Sequence, residues 1–130
     1  MLEIPRYYRS QFTDRFINYV RGTGEMMIQM ELEFDSHLDA ARLKKALELT
    51  LDAEPLLGCR LVKRWWRPRW ERLAADGREA LLIAGDVTAY EAFKHTGIDT
   101  YIGPQIKACL LRMGNGDRLL IKVTHEVADA

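Results

Sequence analysis

Residues 105–130 read QIKACLLRMGNGDRLLIKVTHEVADA, and this stretch decides the fold. Two apolar runs, 105–113 and 118–124, flank Gly114-Asn115-Gly116-Asp117, residue types that tolerate positive φ and favour a hairpin turn. In the second run Leu119, Ile121 and Val123 share one strand face, and by parity His125 continues it toward the interior. An imidazole leaving the end of a strand at the mouth of a cavity is suited to act as a base. Asp129, four residues on, is placed to fix the turn electrostatically or to orient neighbouring groups. The same spacing also fits a histidine that merely ends a strand, because His-x-x-x-Asp is common by itself.

Outward from this hairpin, helical and strand periods are mixed. Phe12, Phe16, Tyr19 and Val20 recur at helical spacing before Gly22, which predicts a helix over 10–20. Met26, Ile28, Met30, Leu32 and Phe34 alternate with Met27, Gln29, Glu31 and Glu33, a half-buried strand with one apolar face. Leu43, Leu47, Thr50 and Leu51 form the stripe of a second helix, capped by Ser36 or Asp39 and ended by Pro55. Strands over 57–63 and 69–73 are expected to form a hairpin with a proline turn, around three tryptophans, Trp65, Trp66 and Trp70. A short strand over 81–83, a helix over 88–95 and a connecting loop over 98–104 complete the chain. There is no strict βαβ alternation, so the class is α+β, with a mixed, largely antiparallel sheet and helices packed on it. No repeat or linker divides the sequence, which predicts a single unit over 1–130.

Composition narrows the partners. Of 130 residues, 48% are hydrophobic and 29% charged, and 19 basic side chains balance 19 acidic ones, so no global field attracts nucleic acid or an anionic membrane. No apolar run approaches the ~20 residues needed to span a bilayer, and the amino terminus lacks a signal-peptide pattern. Cys59 and Cys109 have no metal-type spacing and read as two thiols in a reducing cytoplasm rather than a disulfide. Glu126 after His125 evokes HExxH, but position 129 is aspartate and no third ligand follows, so no metal is expected. Gly22-Thr23-Gly24 lacks the further glycine and lysine of a phosphate loop. Arginines among the tryptophans are expected to lie over indole faces rather than to bind single-stranded nucleic acid, with phosphopantetheine or nucleotide phosphate left open. His37 and His95 fall in polar settings and are expected to be exposed.

Three stretches resemble the first lobe of the condensation-domain superfamily, in that family's order. Leu38-Asp39-Ala40-Ala41-Arg42-Leu43-Lys44-Lys45-Ala46-Leu47 is similar to its LDxxxLxxAL helix. Glu54-Pro55-Leu56-Leu57-Gly58-Cys59-Arg60-Leu61 sits where the family has an HPxLRxxF strand. Gly103-Pro104 through Ala130 resembles GPxxxxxL followed by HHxxxDG. Together they cover most of the chain from residue 28 onward. The resemblance implies one lobe of a two-lobed, chloramphenicol acetyltransferase-like fold, with the site between lobes and the chain ending inside the signature.

By the same resemblance, His125 matches the catalytic histidine, which deprotonates or positions an amine or alcohol for attack on an acyl thioester. The co-substrate would be acyl-CoA or a phosphopantetheinyl thioester on a carrier protein, with no covalently bound cofactor. Asp129 matches an aspartate held structurally by an arginine. Three positions depart from the pattern: Thr124 replaces the first histidine, Ala130 the glycine, and Gly58 the arginine. Arg60, two residues on, is the candidate to replace that arginine; a solvent-facing Arg60 is the alternative. The implied partners are the acyl thioester and either a complementary second lobe or another copy of the chain. A non-catalytic assembly module is the competing function.

Overall fold

Asp39 and Asp86 start the helices, and alternating apolar residues build the sheets they cover. The computed structural model describes residues 3–10, 27–65 and 67–127. Beyond Ser10, the helix expected over 10–20 lies outside the described residues, as do Trp66 and Asp129. In chain order come β1 (Tyr7–Arg9), β2 (Met27–Phe34), α1 (Ala40–Ala53), β3 (Cys59–Val62), β4 (Arg69–Arg72), β5 (Leu81–Ala84), α2 (Val87–His95), β6 (Ile106–Arg112) and β7 (Asp117–Thr124). They form a four-stranded sheet of order β2-β7-β6-β5 and a three-stranded sheet of order β1-β4-β3. Among the described strands only β5 with β6 is parallel, so the sheet is mixed and largely antiparallel and the class is α+β, as expected. Among the described residues no helix is long and apolar enough to cross a membrane.

The helices take opposite faces of the larger sheet. On one face Leu47 and Leu51 of α1 pack against Ile106, Ala108, Leu110 and Leu119. Each fully buried leucine there contributes about 2 kcal/mol. The Asp39 carboxylate accepts the Ala41 and Arg42 amides at 3.0 and 3.2 Å, an N-cap that satisfies two otherwise orphaned donors. Thr50, expected in the apolar stripe, is exposed, and its hydroxyl donates to Ala46 O at 2.8 Å. On the other face Tyr90 of α2 packs with Cys109, Leu111 and Leu120. Buried Lys122 donates to the carbonyls of Phe93 and Thr96, placing a cation where the helix dipole is negative.

The charged side of β2 binds α2. Glu31 accepts from Tyr90 Oη at 2.9 Å and from Lys94 Nζ at 3.1 Å, and Gln29 Nε2 donates to Lys94 O at 3.2 Å. The Lys94 and Tyr90 hydrogen bonds hold the Glu31 carboxyl below its ordinary range. Its apolar side is less covered than alternation suggests: Met30 and Leu32 are 56% and 36% exposed, because β2 is an edge strand.

Two local expectations change. The strand predicted from residue 57 starts at Cys59, because Pro55 opens a 3-10 turn over Pro55–Gly58 first. The 113–116 turn forms, with Met113 N–H donating to Gly116 O at 2.8 Å, but without positive φ. Gly116 is required there by a close approach instead: a Cβ would lie 1.9 Å from Phe34 O. Gly103 is the residue with positive φ, 63°, among those described.

Candidate functional site

β7 ends at Thr124, one residue before His125, so strand parity does not reach the imidazole. Residues 125–127 form a turn in which Val127 N–H donates to Thr124 O at 3.4 Å, and His125 is half-buried. Its neighbours fix it. Thr124 is fully buried; its amide donates to Gln105 O at 3.0 Å and its hydroxyl to Gln105 Oε1 at 2.8 Å. On the other side Glu126, 4% exposed, accepts from Thr100 Oγ1 at 3.1 Å. Val127 packs on both the α1 cluster and the Trp70 cluster, closing the turn over the junction of the two sheets.

Gln105 is the hub of this junction. Its Nε2 donates to Cys59 O at 2.9 Å and Thr100 O at 3.0 Å, and its amide donates to Leu57 O at 2.8 Å. Thr100 O also accepts Leu61 N–H at 2.9 Å. One side chain thus joins β3, the 98–104 loop and β7, and all of its polar atoms are used, as burial demands. The arrangement holds the backbone on both sides of an imidazole while leaving that imidazole half-buried.

Arg60 lies on β3 opposite Glu71, and its Nη2 donates to Glu71 Oε1 at 3.1 Å. Gly58 belongs to the 3-10 turn before β3, so Gly58 and Arg60 do not share a strand face. Both cysteines are buried free thiols. Burial pushes the Cys59 thiol up to about 11, partly opposed by Arg72, so it is a poor nucleophile near neutral pH. No group of three or more His, Cys, Asp or Glu side chains among the described residues is placed to hold a metal.

Trp70 is fully buried with Cys59 and Leu61, Trp65 is 96% exposed, and Arg69 stacks on a tyrosine, 3.8 Å above Tyr7. His95 is exposed; His37 is half-exposed but engages Asp117.

Sequence reading missed Gln105 and Thr100, and weighed Glu126 only for its likeness to HExxH. A signal existed: the register that pairs Arg112 with Asp117 and Ile106 with Val123 places 105 opposite 124, two polar residues continuing an apolar ladder.

No family model matches the chain, and no curated protein does. Solved structures do. The tallysomycin biosynthesis protein TlmII is 22% identical with a TM-score of 0.68, over 91% of this chain and 32% of that one. A substituted starter condensation domain of rhizomide synthetase, in complex with C8-CoA, is 12% identical with a TM-score of 0.75, over 96% and 32%. The epimerization domain from the third module of tyrocidine synthetase B is 13% identical, again with a TM-score of 0.75, over 94% and 31%. Across nearly its whole length the chain therefore has the condensation-domain fold, and it spans about a third of the length of those solved chains.

Proposed function

We propose that this chain is the N-terminal lobe of a condensation-domain-like acyltransferase, with His125 as its base or positioning residue. The observation that carries the reading is the place of His125: it directly follows β7, between two anchored residues, in a condensation-domain fold. In the proposed step the imidazole takes the proton of an amine or hydroxyl as its nitrogen or oxygen adds to the carbonyl of an acyl thioester. The C–S bond then breaks, and the departing thiolate takes the proton. The acyl group comes from coenzyme A or a carrier protein; the solved complex with C8-CoA supports a thioester donor. Asp129 maintains the turn, and Arg60 is its candidate partner in exchange for Glu71. Water exclusion and carbonyl orientation require a second wall.

Acyl transfer from a panel of thioesters, with a complementary lobe supplied, tests this. His125→Ala should lower turnover by about a hundredfold, a typical contribution of a general base. Equal rates in wild type and variant would remove His125 from the mechanism.

A second reading is an assembly module, favoured by the apolar side chains left open on both edge strands: Met30 and Leu32 on β2, Leu82 and Ile83 on β5. Exposed apolar edges favour association. Light scattering over a concentration series should then give a dimer mass, and a constant monomer mass counts against it.

A further inference from the structure

In the three-stranded sheet, Arg9 of β1 stands directly opposite Arg69 of β4. Like charges facing each other across a ladder are destabilising, so this pairing needs a compensating interaction. Tyr7 supplies part of it: Arg69 lies 3.8 Å and Arg6 5.3 Å from its ring centroid. It does not account for Arg9, nor for Arg64 and Arg67 in the β3–β4 hairpin loop. With Tyr7, Tyr8, Pro68 and Arg69, these three line a cavity of about 330 Å³ that has no acidic side chain among its described lining residues. None of the four arginines forms an ion pair among the described residues, and the buried Arg69 Nε has no hydrogen-bond partner there. The nearest acid in register, Glu71, is engaged by Arg60. In a chain with 19 basic and 19 acidic residues, four guanidinium groups around one concavity with no acid among its described lining are a local excess.

We propose that this cavity, between β1 and the β3–β4 hairpin, binds the phosphate group of a small soluble phosphate ester or pyrophosphate. Guanidinium forks match phosphate oxygens geometrically, and a dianion would offset the Arg9–Arg69 repulsion. The small volume and the balanced charge of the whole chain favour a compact phosphate ligand over a nucleic acid strand. The proposal does not depend on acyl transfer.

The test is calorimetric titration of the full chain at constant ionic strength with pyrophosphate and, separately, ATP, accompanied by thermal unfolding. Saturable binding of either probe is expected, and their relative affinities distinguish free pyrophosphate from a nucleotide as the source. Arg9→Gln and Arg67→Gln should each weaken binding about tenfold, the loss of one charge-assisted hydrogen bond. Arg9→Gln should also raise the ligand-free Tm by about 2 °C, because it removes the facing charge; Arg67 is in the loop, so its replacement tests binding without touching the ladder. Unchanged affinity in both variants, or equal stabilisation by sodium chloride at matched ionic strength, would overturn the proposal. So would tighter binding of a short single-stranded oligonucleotide than of ATP.

Discussion

The β6–β7 hairpin is pinned at both ends by buried polar groups, and the two pins differ in kind. At the turn, Asp117 (1% exposed) meets His37 Nδ1 at 2.9 Å, Leu38 N–H at 2.6 Å and Arg112 Nη1 at 2.6 Å. Arg112 Nη1 also donates to Leu38 O at 2.6 Å, so this pin fastens the lead into α1. At the far end Thr124 donates two neutral hydrogen bonds to Gln105, whose Nε2 donates on to the carbonyls of Cys59 and Thr100. Charge-assisted bonds are about twice as strong but depend on protonation, whereas an amide–hydroxyl pair does not titrate. The ionic pin secures the fold where α1 joins; the neutral pin keeps the His125 turn in place irrespective of pH.

The largest effect is expected at the ionic pin. Asp117→Asn removes a buried charge that faces Arg112 and His37, and should cost about 3 kcal/mol at pH 7. Burial works to raise the Asp117 carboxyl, but hydrogen bonds from His37 and Leu38 and the Arg112 charge outweigh it and hold it below its ordinary 3.8. A depressed folded-state value stabilises the protein above 3.8 and is lost as pH falls through the folded value. Denaturant unfolding from pH 7 to pH 3 should therefore show the wild-type advantage over Asp117→Asn shrinking only at the acid end. An advantage that stays constant over this range would show that the pin owes its strength to shape rather than charge.

Periodicity carried the α+β class and the elements that frame both pins, because burial of one face repeats every two or every 3.6 residues. It could not show how sparsely β2 is covered, since Met30 and Leu32 have the alternation of a buried face but sit on an edge. Nor could it show that Glu31 binds α2, because a contact between residues 31 and 90 leaves no local pattern. The candidate site divides the same way. His125 was legible from its place after an alternating strand, but Thr100 and Glu126 meet across 26 positions. Asp117 was read as a turn residue, yet its partners His37 and Leu38 lie about 80 residues away. Long-range polar pairs follow from register and topology, which a single sequence specifies only where a hairpin fixes them.

The neutral pin should show a smaller effect with a distinctive pattern. Gln105→Leu takes the Nε2 donor from the carbonyls of Cys59 and Thr100, the latter keeping Leu61 N–H, and the acceptor from the Thr124 hydroxyl, and should cost about 2 kcal/mol. Thr124→Val keeps the side-chain shape but deprives Gln105 Oε1 of its donor, about 1 kcal/mol. Once Gln105 is gone, the Thr124 hydroxyl has nothing left to satisfy, so the double variant should cost about 2 rather than 3 kcal/mol. That coupling of about 1 kcal/mol is measurable by a denaturant double-mutant cycle, and it should be the same at pH 5 and pH 8. Strict additivity would mean that the two residues are buried independently and that Thr124 does not hold the His125 turn through Gln105. A coupling that varied with pH would draw Glu126 into the pin, through Thr100, and erase the distinction between the two ends of the hairpin.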